Sequence, residues 1–178
     1  RVFVWKSTSV IPENLLVVIA RNDDYFFGVL HSKLHELWAR RKGSQLREAE
    51  SGSRYTPTST FETFPFPWAP SKEPKNDPRV RAISQAAKEL VEQRDRWLKP
   101  ESQVTVTLKV TVTSDEPKAA KKRTLTNLYN QRPTWLDLAH KRLDEAVFAA
   151  YGWKSDLSDE QILERLLSLN LERSRGAK

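Results

Sequence analysis

The first apolar positions of the chain alternate. Val2-Phe3-Val4-Trp5 is short, β-branched and aromatic, which predicts a strand. After a turn at Pro12-Glu13-Asn14, residues 15–20 (LLVVIA) form an unbroken apolar run of strand length, the pattern of a buried strand. Paired, the two would make an antiparallel ribbon. The rhythm then changes to the helical one. Asn22-Asp23-Asp24 supplies helix-start chemistry, and Phe27, Leu30, Leu34, Leu37, Trp38 and Arg41 fall on one face of a predicted helix over 24–41, with basic residues in its last turn and Gly43 as its stop. Gly28 lies inside this helix, where glycine costs about 1 kcal/mol relative to alanine, so close approach of another element is expected there. Val80, Ile83, Ala87, Leu90, Val91 and Trp97 mark the buried face of a second helix over 78–98, with Pro78 in its first turn. Residues 104–112, VTVTLKVTV, alternate strictly and predict a strand within a β-like segment at 103–113. A helix from Pro133 to about Tyr151 stops at Gly152. The last helix opens on Ser158, with Gln161 three residues on, Leu157 and Ile162 placed to staple the entry, and a basic tail after Glu172 expected to fray.

These elements predict an α+β fold: a small mixed or antiparallel sheet with a packed helix, followed by a helical carboxy-terminal segment. The proline-rich, charged stretch 70–78 suggests a boundary. The expected division is 1–70, then 71–125 (linker, helix and β-like insertion), then 126–178. Within the first part, SRYTPTSTFETFPFPWAP (53–70) has no helical or strand period. Pro57, Pro65 and Pro67 restrict φ and remove backbone donors, so this stretch reads as an extended aromatic strap. Phe61, Phe64, Phe66 and Trp68 could stack on bases, but a framework role across a core or seam is the simpler expectation.

Composition narrows the chemistry. Net charge is +7 and the pI about 9.7, which favours polyanionic partners, nucleic acid first. No apolar run approaches the ~20 residues of a membrane span. With no cysteine there is neither a disulfide framework nor a thiolate metal site. Glycines are few and dispersed, so no phosphate cradle is visible, and no serine stands in a nucleophile elbow. His31 and His35 share a helical face, but HSKLH lacks the glutamate of a zinc-protease helix, so packing or hydrogen bonding explains them better than metal. Asp23 and Asp24 read as capping residues, and Asp144-Glu145 as a solvated or ion-paired face.

Basic clusters are the better lead. Arg40, Arg41, Lys42, Arg47 and Arg54 gather around one loop, and Lys121, Lys122 and Arg123 lie in an acid-free stretch. Either group could contact DNA phosphates. Gln45, Arg47 and Arg54 add donors and acceptors able to reach base edges, which ranks their loop first.

Two strings carry a family resemblance. FFGVLHSKLHELWARRKGSQL followed by RYTPTSTFETFPFP resembles the target-recognition region of type IIG/IIL-like adenine-specific DNA methyltransferases of restriction–modification systems. RTLTNLYNQRPTWLDLAHKRLDEAVFAAYGW with LSDEQILERLLSLNLER resembles the carboxy-terminal segment of the same proteins. The resemblance implies double-stranded DNA as partner, an upstream methyltransferase domain of the same polypeptide, S-adenosylmethionine in that parent enzyme, and methylation of a flipped adenine. It implies a bacterial or archaeal cytoplasm. The family's Asn-Pro-Pro-Tyr motif and glycine-rich cofactor motif are absent from these residues, so no cofactor is expected on them and no catalysis by them alone. The chain, which opens at Arg1 and contains no methionine, reads as a piece of a longer polypeptide. The 103–113 segment departs from the resemblance. A free-standing DNA-binding module and a helical protein–protein scaffold are the alternatives.

Overall fold

The computed structural model describes residues 2–13, 16–45, 53–99 and 123–176. Among these the architecture is helical. Seven helices run in the order α1 (Asp24–His31), α2 (Lys33–Lys42), α3 (Pro57–Thr60), α4 (Pro78–Leu98), α5 (Leu125–Gln131), α6 (Thr134–Tyr151) and α7 (Asp159–Gly176).

The expected sheet is not formed. Residues 2–5 and the described part of the 15–20 run are not strands. A strand exists only when a neighbour takes its backbone groups, and here those groups go elsewhere. The Phe3 N–H donates to His31 Nε2 (3.2 Å), and Arg94 Nη1 donates to the Phe3 carbonyl (3.1 Å). Leu16 and Val18, each 65% exposed, are not buried as the apolar run implied. The remaining ladder among the described residues is two residues deep: β1 (Ser44–Gln45) pairs antiparallel with β2 (Ser53–Arg54), Ser44 opposite Arg54. The alternating 103–113 segment lies outside the described residues.

The helix expected over 24–41 is two helices broken at a single residue. Ser32 has extended dihedrals and ends α1 while capping α2. Its hydroxyl donates to the Val29 carbonyl (2.7 Å) and accepts from the His35 N–H (3.4 Å), the local competition by which serine interrupts helices. One residue of break leaves the apolar face nearly in register, so the periodicity does not reveal it. Asp23 starts α1 by accepting from the Phe26 N–H (2.8 Å). The carboxylate of Asp144, on α6, accepts from Lys33 N–H (2.7 Å) at the first turn of α2. Asp144 is therefore an inter-helix cap and not a solvated face, and burial raises its pKa to about 6.

The other helices start where their caps stand. Asp77 caps α4 with Pro78 in the first turn. At α7 the Ser158 hydroxyl accepts from Gln161 N–H (3.3 Å) while Gln161 Oε1 accepts from Ser158 N–H (3.0 Å), the reciprocal capping box. Gly152 ends α6 in the left-handed conformation, φ 69°. The short α5 is capped by Thr124 and ends on a left-handed Arg132, with Leu128 as its buried residue. Its brevity and polarity hide it from periodicity.

One apolar cluster joins these helices: Val29, Leu30 and Leu34 from α1 and α2, Ile83, Ala87 and Leu90 from α4, Leu136, Leu143 and Val147 from α6, Ile162 and Leu166 from α7. Helix α4 packs against both α1 and α6. Gly28 is the point of closest approach. A β-carbon there would lie 2.8 Å from Ile83 Cγ2 and 3.1 Å from both Ala87 Cβ and Leu143 Cδ1, which is why this helix accepts glycine.

Candidate nucleic-acid interface

The basic end of α2 gathers part of the cationic set. Arg40, Arg41 and Lys42 occupy its last turn, where cations complement the helix dipole, and all three are exposed. Arg40 pairs with Glu36 one turn earlier, and Lys42 Nζ lies 5.1 Å from the Trp38 ring centroid. The chain leaves the helix at Gly43 with extended dihedrals and enters β1. Because Ser44 is paired with Arg54, the exposed Arg54 returns to within two residues of Lys42 in the ladder. Gln45 is in the same ladder, opposite Ser53. Arg47, Lys121 and Lys122 lie outside the described residues. Arg123 is elsewhere. Its Nη1 donates to the Trp97 carbonyl at the end of α4 (3.2 Å) and its guanidinium lies 5.7 Å from the Trp97 ring centroid.

Beside this basic end runs a groove of about 290 Å³ lined by Trp38, Arg41, Lys42, Leu163, Glu164 and Leu167. It lies along the line where α2 and α7 pack together. Trp38, Arg41 and Lys42 come from α2, and Leu163, Glu164 and Leu167 from α7.

Two aromatic residues anchor the chain beside the ladder: Trp38, expected on the buried face of its helix, and Tyr55, which the sequence did not single out. Trp38 is buried and donates from Nε1 to Thr63 Oγ1 (3.1 Å). Tyr55, directly after Arg54, places its hydroxyl 3.1 Å from His35 Nε2. His35 Nδ1 lies 2.9 Å from the Leu30 carbonyl. A carbonyl only accepts, so Nδ1 carries the proton and Nε2 accepts from Tyr55. Burial holds the His35 pKa down to about 4, which keeps the ring neutral. The Ser44 and Thr56 hydroxyls, 3.3 Å apart, add a further link across the base. The sequence signal for this arrangement is the aromatic adjoining Arg54.

The remaining candidates have structural roles. His31 Nε2 accepts from Phe3 N–H and faces Arg94 Nη1 at 3.4 Å. Burial first, and Arg94 second, hold its pKa well below the usual imidazole value. His140 Nε2 lies 3.2 Å from the Tyr129 hydroxyl. No group of three or more potential metal ligands occurs among the described residues, and no helix there is long and apolar enough to cross a membrane.

The aromatic strap is framework. It begins extended in β2, then forms the short helix α3 where extended chain was expected, and runs on through buried Phe64 and Phe66. Phe66 stacks on Phe26 (5.1 Å between centroids) and meets Phe64 edge-on (4.9 Å). The strap's carbonyls face donors from distant helices. Tyr151 donates to Pro65 O (2.8 Å), Asn170 Nδ2 to Thr63 O (2.6 Å) and Arg173 to the carbonyls of Phe66 and Pro67. Arg173 belongs to the tail expected to fray, yet α7 continues to Gly176.

Residues 3–68 match the family model described as MmeI, target recognition domain. The chain is 29% identical over 164 residues to DNA methyltransferase A of Bacillus subtilis (strain 168), covering 91% of this chain and 15% of that protein. Among solved structures it is similar in fold to the type IIL restriction–modification enzyme MmeI, which was solved in complex with DNA. The TM-score is 0.58 at 23% identity, over 86% of this chain and 17% of that one. The chain thus spans a minor share of the length of each. The resemblance carried by its two sequence strings is borne out, with the recognition-domain match falling on the part that contains α1, α2, the ladder and the strap.

Proposed function

We propose, from the match of residues 3–68 to a target recognition domain, that this chain is the DNA-recognition and carboxy-terminal part of a restriction–modification DNA methyltransferase. It binds duplex DNA through the basic end of α2 and the adjoining ladder. The observation that carries this reading is that the fold assembles Arg40, Arg41, Lys42 and Arg54 at one exposed place within the matched region. Exposed cations there meet phosphates without a large desolvation cost. Gln45, Arg47 and Arg54 read base edges, while Lys121, Lys122 and Arg123 supply further phosphate contacts. Adenine amino methylation with S-adenosylmethionine is performed by a catalytic domain of the same polypeptide, in the cytoplasm, where the DNA substrate is.

The test is binding to a duplex at two salt concentrations. Phosphate contacts release counterions, so affinity falls steeply as salt rises. Arg54→Ala weakens binding about five- to a hundredfold, on the scale of one lost arginine contact to a base edge (about 1–3 kcal/mol), and Lys178→Ala weakens it less. Affinity indifferent to salt refutes phosphate contact. Equal effects of the two substitutions refute the choice of surface.

A further inference from the structure

The basic end of α2 is exposed on its outside, whereas its inner face is locked by neutral hydrogen bonds. Residues His35 and Trp38 are three apart on that face. Trp38 ties α2 to Thr63 of the strap, and its ring lies under the Lys42 ammonium where the outgoing stem begins. His35 holds the returning stem through the Tyr55 hydroxyl. Both anchors are 1% exposed. Around Tyr55 the packing is aromatic: Phe3 lies 6.1 Å and His35 5.8 Å away, centroid to centroid. Such a ring has few rotamers open to it, and the residue before it is Arg54. A side chain that touches phosphate from a mobile stem gains affinity but little sequence information. One that reads a base edge must be fixed in register.

The geometry points to the Tyr55–His35 pair as a positioning device for base reading: a part-buried, tautomer-defined hydrogen bond that fixes Arg54 and its Ser44 partner in register, and so sets sequence discrimination rather than affinity. This rests on the DNA-binding reading given above. His35 is buried and Tyr55 is half-buried, and the pair acts on DNA through the adjoining Arg54.

The separating experiment uses Tyr55→Phe, which keeps the ring and its packing and removes the one hydroxyl. Two readouts are needed. Without DNA, amide hydrogen exchange at Ser44 and Arg54 is compared between wild type and variant. The lock predicts exchange about five- to tenfold faster in Tyr55→Phe, the scale of one lost hydrogen bond, with the exchange of the α4 amides unchanged. With DNA, both proteins are bound to a duplex pool randomised across its central base pairs, and the bound fraction is sequenced. The slope of log affinity against log salt on the unselected pool stays the same, while the ratio of selected to unselected affinity falls about tenfold in the variant. Equal exchange at Ser44 and Arg54 in the two proteins overturns the lock whatever happens with DNA. Faster exchange with an unchanged ratio shows a stem held for stability alone and also overturns the inference. Absence of salt-dependent binding by wild type removes the DNA reading, and the inference falls with it. A uniform rise in exchange across α4 would show general loosening, and His35→Gln, whose amide oxygen reaches the Nε2 position, then decides. It restores the ratio relative to His35→Leu if the accepted hydrogen bond is what matters, and equal ratios in those two overturn the inference.

Discussion

Gly28 shows how a residue without a side chain can determine a packing. Alanine there would recover about 1 kcal/mol of helix propensity. Its methyl would also meet Ile83 Cγ2 at 2.8 Å within a fully buried cluster. Overpacking of this kind costs about 1–3 kcal/mol, so the clash wins. Gly28→Ala is expected to lower stability by about 1 kcal/mol, read as a reduced denaturant midpoint with unchanged slope. A gain in midpoint would mean that α1 and α4 can separate cheaply. Gly152 is the contrasting case: a β-carbon meets nothing within 4 Å there, and the positive φ alone is what disfavours other residues. The sequence marked Gly28 as anomalous because glycine is costly inside a helix. The identities of Ile83, Ala87 and Leu143 as its neighbours came only with the tertiary structure.

At the scale of elements, the caps were the most legible feature. Asp23, Pro78, Ser158 with Gln161, and Gly152 each act where their local chemistry said, because a cap is satisfied within a few residues of itself. Devices spanning the chain were not legible. Asp144 caps α2 across 111 residues of sequence, and the Tyr55–His35 contact crosses 20. The Asp144 cap has a measurable signature. Its folded pKa is raised to about 6 from 3.8, so between those values the native state binds more protons than the unfolded one. Stability attributable to this carboxylate therefore falls as pH rises through that window. Asp144→Asn keeps an acceptor for Lys33 N–H and removes the charge. The stability of Asp144→Asn relative to wild type should rise from pH 4 to pH 6 and then level off, in chemical denaturation at a series of pH values. A difference that does not change over this range would show that the carboxylate is not desolvated.

For the whole molecule, the histidines dominate the response to acid. Burial depresses His31, His35 and His140, the last two to about 4. Between about 4 and the unfolded value of 6.5, the unfolded chain takes up protons that the native state refuses. Stability is then fully present above pH 6.5 and is lost as pH falls toward 4. The charges around these rings come from several helices: Glu36 on α2, Arg94 on α4 and Asp137 on α6, with Arg132 at the end of α5. Asp144 changes stability in the opposite sense over part of the same window, but it is one group against three. Thermal midpoints are expected to fall between pH 6.5 and 4, and constant midpoints would mean that the rings are hydrated. The largest difference from the sequence expectation also lies at this scale. The apolar runs near the amino terminus report a preference for extended chain, but a sheet needs partners for that chain, and no local pattern states whether partners exist. The basic end of α2 was readable because clustered charge is local, whereas the hydrogen bonds that hold its stems join residues distant in sequence.

The fastening of the strap bears on the order in which the chain folds. Asn170 and Arg173 reach carbonyls 107 residues earlier in the chain, and Tyr151 reaches one 86 residues earlier. Closing loops of that size consumes chain entropy before any contact repays it. The turns of α1, α2 and α4 face no such barrier and can form first. The proline-rich strap, with its backbone donors already depleted, then offers waiting acceptors to the last helix. Its fixed shape gives α7 one docking register, which makes that helix the clasp of the fold.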